Sequence, residues 1–235
     1  MKLSNETKEV LKNFSTINQN LVIKEGSSIS TMSAMKNIVA NAKVTEKFPK
    51  EFAIYDLNEF LAALSLFAKP ELDFKDDFVL ITEEGSNSKN KALKYWYSDP
   101  SVVTTPQKEI TMPSVEISYK LSSSTLSEVQ KAAAVIGAPD MLLENGKLKV
   151  TDKKNSTANN YETPLDVDKN DAKYKFWFKV ENLKIIPGTY DVEMSAKKIS
   201  RFKNTSVDVE YFIALEPESS YERELRSTVA SAHYR

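Results

Sequence analysis

Apolar residues recur with helical spacing near the start of the chain, in residues 2–19. At about 100° per residue, four apolar side chains fall on one face and two lysines, Lys8 and Lys12, project from the opposite face. The four apolar residues are Val10, Leu11, Phe14 and Ile17. Ser4 is a natural N-cap because its hydroxyl can accept a hydrogen bond from a free N–H group of the first turn. The pattern predicts an amphipathic helix that begins just after Ser4.

A second helical pattern lies in residues 120–138, and it opens with the letters KLS that also occupy residues 2–4. Its apolar stripe consists of Leu126, Val129, Ala133 and Ile136. Lys131 lies nearly opposite the centre of this stripe, and Lys120 stands at the entry to the helix. Gly137 and Pro139 predict its end, since glycine favours the left-handed C-terminal conformation and proline cannot continue a helix.

The segments that follow the two helices also correspond to each other. Residues 21–30 and 141–150 each predict a strand, a glycine-containing turn and a second strand. Residues 51–67 predict a strand that leads into a helix. Residues 175–188 predict an aromatic strand, a short helix that carries Lys184, and a Pro-Gly stop. Each half then closes with a pair of strands.

This common order of elements indicates an α+β chain with two similar domains, residues 1–95 and 114–220, each of ordinary domain size. Residues 96–113, WYSDPSVVTTPQKEITMP, contain three prolines and no glycine. Because prolines keep such a segment extended, we interpret it as the connector between the domains. We expect residues 221–235 to form a disordered tail, with an additional docking arm as the alternative.

Composition argues against an enzyme. The single histidine is His233, near the end of the chain, there is no cysteine, and the five glycines lie far apart. This excludes a core histidine base, thiol chemistry and a glycine-rich phosphate loop, and most structural zinc sites. Adjacent carboxylates such as Asp76 with Asp77, or Glu83 with Glu84, are more typical of solvated turns than of catalytic pairs. We therefore expect no catalytic residue, no metal site and no cofactor.

Charge and hydropathy limit the partners and the cellular location that the sequence allows. The chain of 235 residues has 32 basic and 33 acidic side chains, so a simple basic coat for nucleic acid is excluded. No apolar run approaches the roughly 20 residues that span a bilayer, and the N-terminus lacks the apolar core of a signal peptide. We expect no membrane contact, and the absence of cysteine fits a cytoplasmic protein.

The lysines of the predicted helices are the candidate functional residues. They are Lys8, Lys12, Lys120, Lys131 and Lys184. Each could be an ordinary solvated lysine. Alternatively, the helices line a surface that faces a phosphate backbone, a contact that is sequence-independent and sensitive to salt. Without partners that read bases, such contacts give weak and mobile attachment.

Several stretches, in this order and spacing, resemble the sliding clamps of T4-type bacteriophages. They are MKLS at the start, LKNFSTIN at 11–18, AIYDLNEFLAALSL at 53–66, SDPSVV at 98–103 with PQKEI after it, NLKIIPGTY at 182–190, and YFIALEPES at 211–219. The resemblance covers nearly the whole chain. Lys12, Lys131 and Lys184 match basic positions of the family, whereas Lys8 and Lys120 come from the helical wheel alone. The alanine-rich AAAV after Lys131 departs from the family, which tends to have further basic residues there.

This resemblance implies a closed ring of three identical subunits, with helices around a central hole and antiparallel sheets outside. It implies a non-enzymatic processivity factor in the cytoplasm of the infected bacterial host. Its implied partners are double-stranded DNA, the C-terminal tail of the replicative DNA polymerase, an ATP-dependent clamp loader and late transcription factors. A structural or assembly module of a phage without a DNA role is the alternative, and a carboxylate-based hydrolase is a weaker one.

Partner and subunit surfaces are predicted around the connector. A ring with head-to-tail contacts needs two different interface patches on each chain. Trp96, in the aromatic stretch KYWY, is a candidate for one patch, with a place in the core as the alternative. Val102, Val103, Ile110 and Met112 could wall an apolar pocket for a terminal peptide of a partner, or could pack the connector onto the sheet.

Overall fold

The computed structural model of the chain describes residues 1–85, 91–168 and 172–223. The first half contains, in order, α1 (Asn5–Ile17), β1 (Leu21–Ile23), β2 (Gly26–Met32), β3 (Ile38–Phe48), β4 (Phe52–Ile54), α2 (Leu57–Ser65), β5 (Pro70–Phe74), β6 (Phe78–Glu83) and β7 (Ala92–Trp96). The second half contains β8 (Ile117–Leu121), α3 (Ser123–Ile136), β9 (Asp140–Glu144), β10 (Lys147–Thr151), β11 (Tyr161–Pro164), β12 (Ala172–Lys179), β13 (Tyr190–Ser195), β14 (Ile199–Asn204), β15 (Val209–Ala214) and β16 (Ser220–Arg223). Single 3-10 turns lie at Pro100–Val102 and Val180–Asn182.

The two long predicted helices are confirmed, with the caps that the sequence indicates. The Ser4 hydroxyl accepts a hydrogen bond from the Thr7 N–H group at 3.1 Å, and all four apolar residues predicted for the buried face of α1 are buried. At the end of α3, Gly137 adopts a left-handed conformation with φ of 65°. Glycine adopts this conformation without steric cost, so the helix stops there.

Three sheets build the rest of the described fold. The largest has eight strands in the order β4-β1-β2-β3-β15-β14-β13-β8. The second has five, β11-β10-β9-β12-β16, and the third has three, β5-β6-β7. Strand β3 of the first half pairs antiparallel with β15 of the second half. The eight-stranded sheet is therefore continuous across the junction of the halves.

The predicted duplication is confirmed by the strand order. The set β4-β1-β2-β3 of the first half recurs as β12-β9-β10-β11 in the second. The set β5-β6-β7 recurs as β13-β14-β15, and β8, which borders β13, corresponds to the first residues of the chain, where Met1 and Leu72 exchange two backbone hydrogen bonds. One hydrophobic cluster includes residues of both halves, among them Phe14 and Phe176. The halves thus share a core.

The predicted second helix of the second half is wrong. Only the 3-10 turn Val180–Asn182 forms, and an extended segment follows in which Leu183 and Ile185 are buried while Lys184 between them is exposed. This alternation is that of a strand and not of a helix. The Asn37 side-chain amide also donates to the Asn182 side-chain oxygen at 3.0 Å, which ties the turn to the first half. Lys184 is therefore not a helical residue.

The end of the second domain also differs from its predicted position. Strand β16 pairs with β12 and extends to Arg223, so residues 221–223 belong to a sheet and not to a tail. Residues 224–235, the rest of the predicted tail, lie outside the described residues. Within the described part of the chain, none of the helices has the length and apolar character needed to cross a membrane.

Candidate nucleic-acid interface

Helices α1 and α3 meet the same extended segment, residues 183–186. The Asn13 side-chain amide of α1 donates to the Lys184 main-chain oxygen at 3.2 Å. The Gln130 side-chain amide of α3 donates to the main-chain oxygen of the preceding residue, Leu183, also at 3.2 Å. The two helices are therefore hydrogen-bonded to adjacent residues of this segment. One helix of each half is thus hydrogen-bonded to the main chain of the same segment.

The buried Tyr211 hydroxyl forms hydrogen bonds with both α1 and the segment 183–186. The Tyr211 side chain of β15 is fully buried, and its hydroxyl donates to the Asn13 side-chain oxygen at 2.8 Å. The same hydroxyl accepts from the Ile186 N–H group at 3.2 Å, while the Tyr190 hydroxyl donates to the Ile186 carbonyl. Burial raises the pKa of Tyr190 to about 12 and raises that of Tyr211 as well. Both hydroxyls therefore remain protonated and able to donate at neutral pH.

Three predicted lysines surround this junction. Lys12 precedes Asn13 on α1, Lys131 follows Gln130 on α3, and Lys184 lies on the segment between the helices, all three exposed. Lys8 lies one turn before Lys12 and is partly exposed. Among the residues that the structure describes, no carboxylate lies within 4.0 Å of any of these four ammonium groups. Their charges are therefore available to an external anion.

Lys120 lies elsewhere, and its prediction at a helix entry is wrong. It belongs to β8, where Ile117, Tyr119 and Leu121 are buried in the core. Side chains alternate across a strand, so Lys120 projects from the opposite face of the eight-stranded sheet. Its ammonium group lies 3.7 Å from the Asp191 carboxylate on the neighbouring strand. Lys120 is thus separated by the sheet from the other four lysines.

The exposed helix faces are not uniformly cationic. Glu6 and Glu9 are exposed on α1, Glu59 is exposed on α2, and Glu128 is exposed on α3. The exposed end of α3 is uncharged, with Val135 76% exposed. Positive charge is therefore concentrated where α1, α3 and residues 183–186 meet. Periodicity within each helix could not show this, because it arises from contacts between distant parts of the chain.

The connector is fixed to the sheet at its start. The Ser98 N–H group donates to the Ala53 carbonyl at 2.9 Å, and Val103 is buried in a small cluster with Val22 and Ala53. Val103 therefore packs the connector onto the sheet, which was the alternative to a pocket wall. The neighbouring Val102 is 59% exposed.

A groove of about 650 Å³ lies between the connector and the outer face of the eight-stranded sheet. Connector residues 105–109 form one wall. The other walls include Lys24, Lys43, Arg201, Lys203, Asp208 and Glu210. Val102, Val103, Ile110 and Met112 are not among the lining residues, and Ile110 and Met112 are half-buried. The groove is therefore largely polar, and it differs from the apolar pocket that was one of the two possibilities for these residues.

Two of the edge strands, β7 and β11, belong to different sheets. Strand β7 is at one edge of the three-stranded sheet, and β11 is at one edge of the five-stranded sheet. Trp96, the last residue of β7, is 61% exposed, and its ring centre lies 5.1 Å from that of Phe78. The structure thus places Trp96 on the surface and not in the core. Unpaired edges are templates for pairing with another chain.

Two family models match this chain, one in each half. Residues 4–105 match the family model described as DNA polymerase processivity factor. Residues 115–217 match the model described as gp45 sliding clamp, C terminal.

Three curated relatives are named sliding clamps. The chain is 37% identical to that of Vibrio phage KVP40, over 92% of this chain and 99% of the relative. It is 28% identical to that of Escherichia phage RB69 and 29% to that of Enterobacteria phage T4, each over 94% of this chain and 100% of the relative.

Solved structures extend the likeness to the fold of a cellular protein. Proliferating cell nuclear antigen from Entamoeba histolytica superposes with a TM-score of 0.65 at 16% identity, covering 92% of this chain and 97% of the other. The corresponding protein from Thermococcus kodakaraensis gives 0.66 at 16% identity, covering 90% and 96%. At these identities the likeness concerns the fold.

Proposed function

Because this chain belongs to the sliding-clamp family of DNA polymerase processivity factors, we propose that three copies close into a ring that encircles duplex DNA. Members of this family act without catalysis. The contribution of the ring to DNA synthesis is therefore to keep a polymerase on its template. The proposed setting is the cytoplasm of an infected bacterium.

One observation supports the orientation of the ring most directly. Lys12, Lys131 and Lys184 lie next to the residues that join α1, α3 and residues 183–186, and no carboxylate of the described residues lies within 4.0 Å of their ammonium groups. A duplex beside this junction meets three ammonium groups from each chain, with Lys8 as a fourth, partly exposed one. Such contacts to phosphates are sequence-independent and weaken as salt rises, which suits a ring that slides. Lys120 is not part of this proposed set.

The proposed partner site lies on the opposite side of the sheet. A terminal peptide of the replicative polymerase would occupy the groove beneath the connector, and late transcription factors would use the same place. Because the sheet separates this groove from the helices, a docked partner and a threaded duplex would not compete for space. We also propose that an ATP-dependent loader opens the ring, since a closed ring cannot pass onto circular DNA.

The test is charge reversal on either side of the sheet. The Lys12→Glu/Lys131→Glu variant should still assemble, but products made by the cognate polymerase on a primed circular template should be several-fold shorter. Lys120→Glu is the matched control, because it reverses the charge of an exposed lysine on the opposite face. Sedimentation should show three subunits for all variants. Wild-type product lengths for the double variant, or equal loss with Lys120→Glu, would contradict the proposed orientation.

A further inference from the structure

Helices α1 and α3 each carry an exposed glutamate three residues before an exposed lysine of the candidate interface. We propose that these glutamates, Glu9 and Glu128, face the threaded duplex and weaken the hold of the lysines on it, so that a loaded ring moves along DNA instead of resting on it. This proposal deepens the function proposed above and rests on it. The role of the two carboxylates can nevertheless fail while the ring stands.

The core-facing sides of α1 and α3 can be aligned residue by residue. Each helix has four core-facing residues with the same spacing of three, four and three positions. They are Thr7, Val10, Phe14 and Ile17 in α1, and Leu126, Val129, Ala133 and Ile136 in α3. This alignment places Glu9 at the position of Glu128. It also places Lys12 at the position of Lys131.

The exposed sides of the two helices differ except at these two positions. The five exposed residues of α1 are Asn5, Glu6, Glu9, Lys12 and Thr16. The aligned residues of α3 are Ser124, Thr125, Glu128, Lys131 and Val135. Only the glutamate and the lysine recur. One acid and one base at equivalent places on otherwise different surfaces point to a task that both helices share.

The glutamates project to the same side as the lysines. At about 100° per residue, Lys12 and Lys131 lie directly opposite the core-facing stripe, and each glutamate lies about 60° to the same side of that direction. A rise of roughly 1.5 Å per residue places each glutamate about 4.5 Å before its lysine along the helix axis. This distance is shorter than the screening length of about 8 Å at physiological ionic strength. A phosphate beside the lysine is therefore also repelled by the carboxylate.

The two carboxylates keep their charge. In the part of the chain that the structure describes, no ammonium or guanidinium group lies within 4.0 Å of either of them. The Glu128 carboxylate accepts a hydrogen bond from the Tyr161 hydroxyl, a neutral donor that fixes the carboxylate without cancelling its charge. Each copy thus presents two negative charges beside its lysines, and a ring of three copies would present six.

An ordinary helix-stabilising ion pair is the alternative for these residues. Glutamate and lysine three positions apart can stabilise a helix by pairing with each other. The pairing is absent in both helices, since neither Lys12 nor Lys131 has a carboxylate of the described residues within 4.0 Å. Both charges of each couple are therefore directed to the surroundings and act separately on a duplex.

Diffusion of single rings along DNA tests this role, because it responds to the charges that face the duplex. Labelled protein would be loaded onto a long primed duplex with blocked ends, using the cognate loader and ATP, and the loader would then be washed away. In Glu9→Gln/Glu128→Gln, the diffusion coefficient should fall several-fold at low salt. The difference from the wild type should shrink as salt rises and screens the phosphate contacts.

Two controls separate the charges from other effects of substitution. Glu9→Asp/Glu128→Asp keeps both charges and should move like the wild type. Glu25→Gln/Asp208→Asn removes the same number of charges from exposed residues of the groove on the outer face of the sheet, and it should also move like the wild type.

The outcomes separate the role of the glutamates from the ring. A wild-type diffusion coefficient in Glu9→Gln/Glu128→Gln, or an equal decrease in either control, would overturn the role of the two carboxylates and leave the ring intact. Loss of the loaded wild-type protein from DNA with blocked ends would overturn the ring itself, and this role with it. A decrease confined to the variant without the two charges supports the proposal.

Discussion

The side-chain amide nitrogen of Asn13 lies 3.2 Å from the main-chain oxygen of Lys184, so the first helix of the chain is fixed to a backbone segment 171 residues later. The Asn13 side-chain oxygen also accepts the hydrogen bond of the buried Tyr211 hydroxyl. One amide of the first half therefore contacts two separate segments of the second half. This contact places Lys12 and Lys184 on the same surface.

Replacing Asn13 with alanine should destabilise the chain by about 1–3 kcal/mol, because the buried Tyr211 hydroxyl loses its acceptor. In a Tyr211→Phe background, Asn13→Ala should cost less, since no buried hydroxyl is then left without its acceptor. Urea unfolding of the two single variants and the double variant measures the coupling. Strictly additive losses would show that the amide and the hydroxyl do not act together.

The start of α1 should make stability depend on pH. The Glu46 carboxylate accepts hydrogen bonds from the Ser4 N–H group and the Thr7 hydroxyl. Burial alone would raise its pKa, but these bonds outweigh burial and hold the pKa below its ordinary value. A carboxylate with a lowered folded-state pKa stabilises the fold above its unfolded pKa, and that stabilisation is lost as pH falls through the folded value.

The unfolding free energy should therefore fall as the pH is lowered from neutral into the acid range, and the fall should be smaller in Glu46→Gln. Glu6→Gln is the control, because Glu6 is an exposed residue in the first turn of the same helix. Parallel pH curves for the wild type and Glu46→Gln would exclude this carboxylate as a source of the dependence.

A cluster of charged side chains joins β9 to the end of β12 in the second half. Asp140 is 1% exposed, and its carboxylate lies 2.5 Å from the Lys179 ammonium group. Lys179→Met should cost about 1–3 kcal/mol, because it removes one partner of a buried charge that keeps a hydrogen bond from the Lys153 N–H group. Lys147→Met is the control, since its partner Glu162 is on the surface, and it should change little. Thermal unfolding that does not distinguish the two variants would contradict the assigned role.

Gly188 should not tolerate a side chain. A Cβ atom there would lie 2.5 Å from the Asn204 side-chain nitrogen, and the Asn204 side-chain oxygen is held by the N–H groups of Ser206 and Val207. Gly188→Ala should therefore cost about 1–3 kcal/mol through overpacking. The same substitution should cost less in an Asn204→Ala background. An equal cost in both backgrounds would mean that Asn204 is not the obstacle.

The sequence predicts the local elements of this fold well. Ser4 and Gly137 mark real ends of helices, and the paired segments 21–30 and 141–150 form the expected strands. Caps, turns and periodicity are properties of neighbouring residues. The duplication of the chain can be predicted from the sequence because both halves repeat these local patterns in the same order.

What the sequence could not show depends on contacts between distant residues. The short helix expected at Lys184 is replaced by an extended segment that receives hydrogen bonds from Asn13 and Gln130. The sequence predicts Lys120 at the entry to a helix, yet it lies in β8 and projects from the other face of the sheet. The pairing of β3 with β15 joins residues more than 160 positions apart, and no local pattern encodes it.

Retention on DNA of different topology tests encirclement most directly. The chain would be placed on nicked circular plasmid with the cognate loader and ATP, and then passed through a gel-filtration column in high salt. Encirclement predicts that the protein elutes with the circular DNA and is released once a restriction enzyme linearises the plasmid. Release from the circle by salt alone, or equal retention on the linear form, would contradict a ring threaded by DNA.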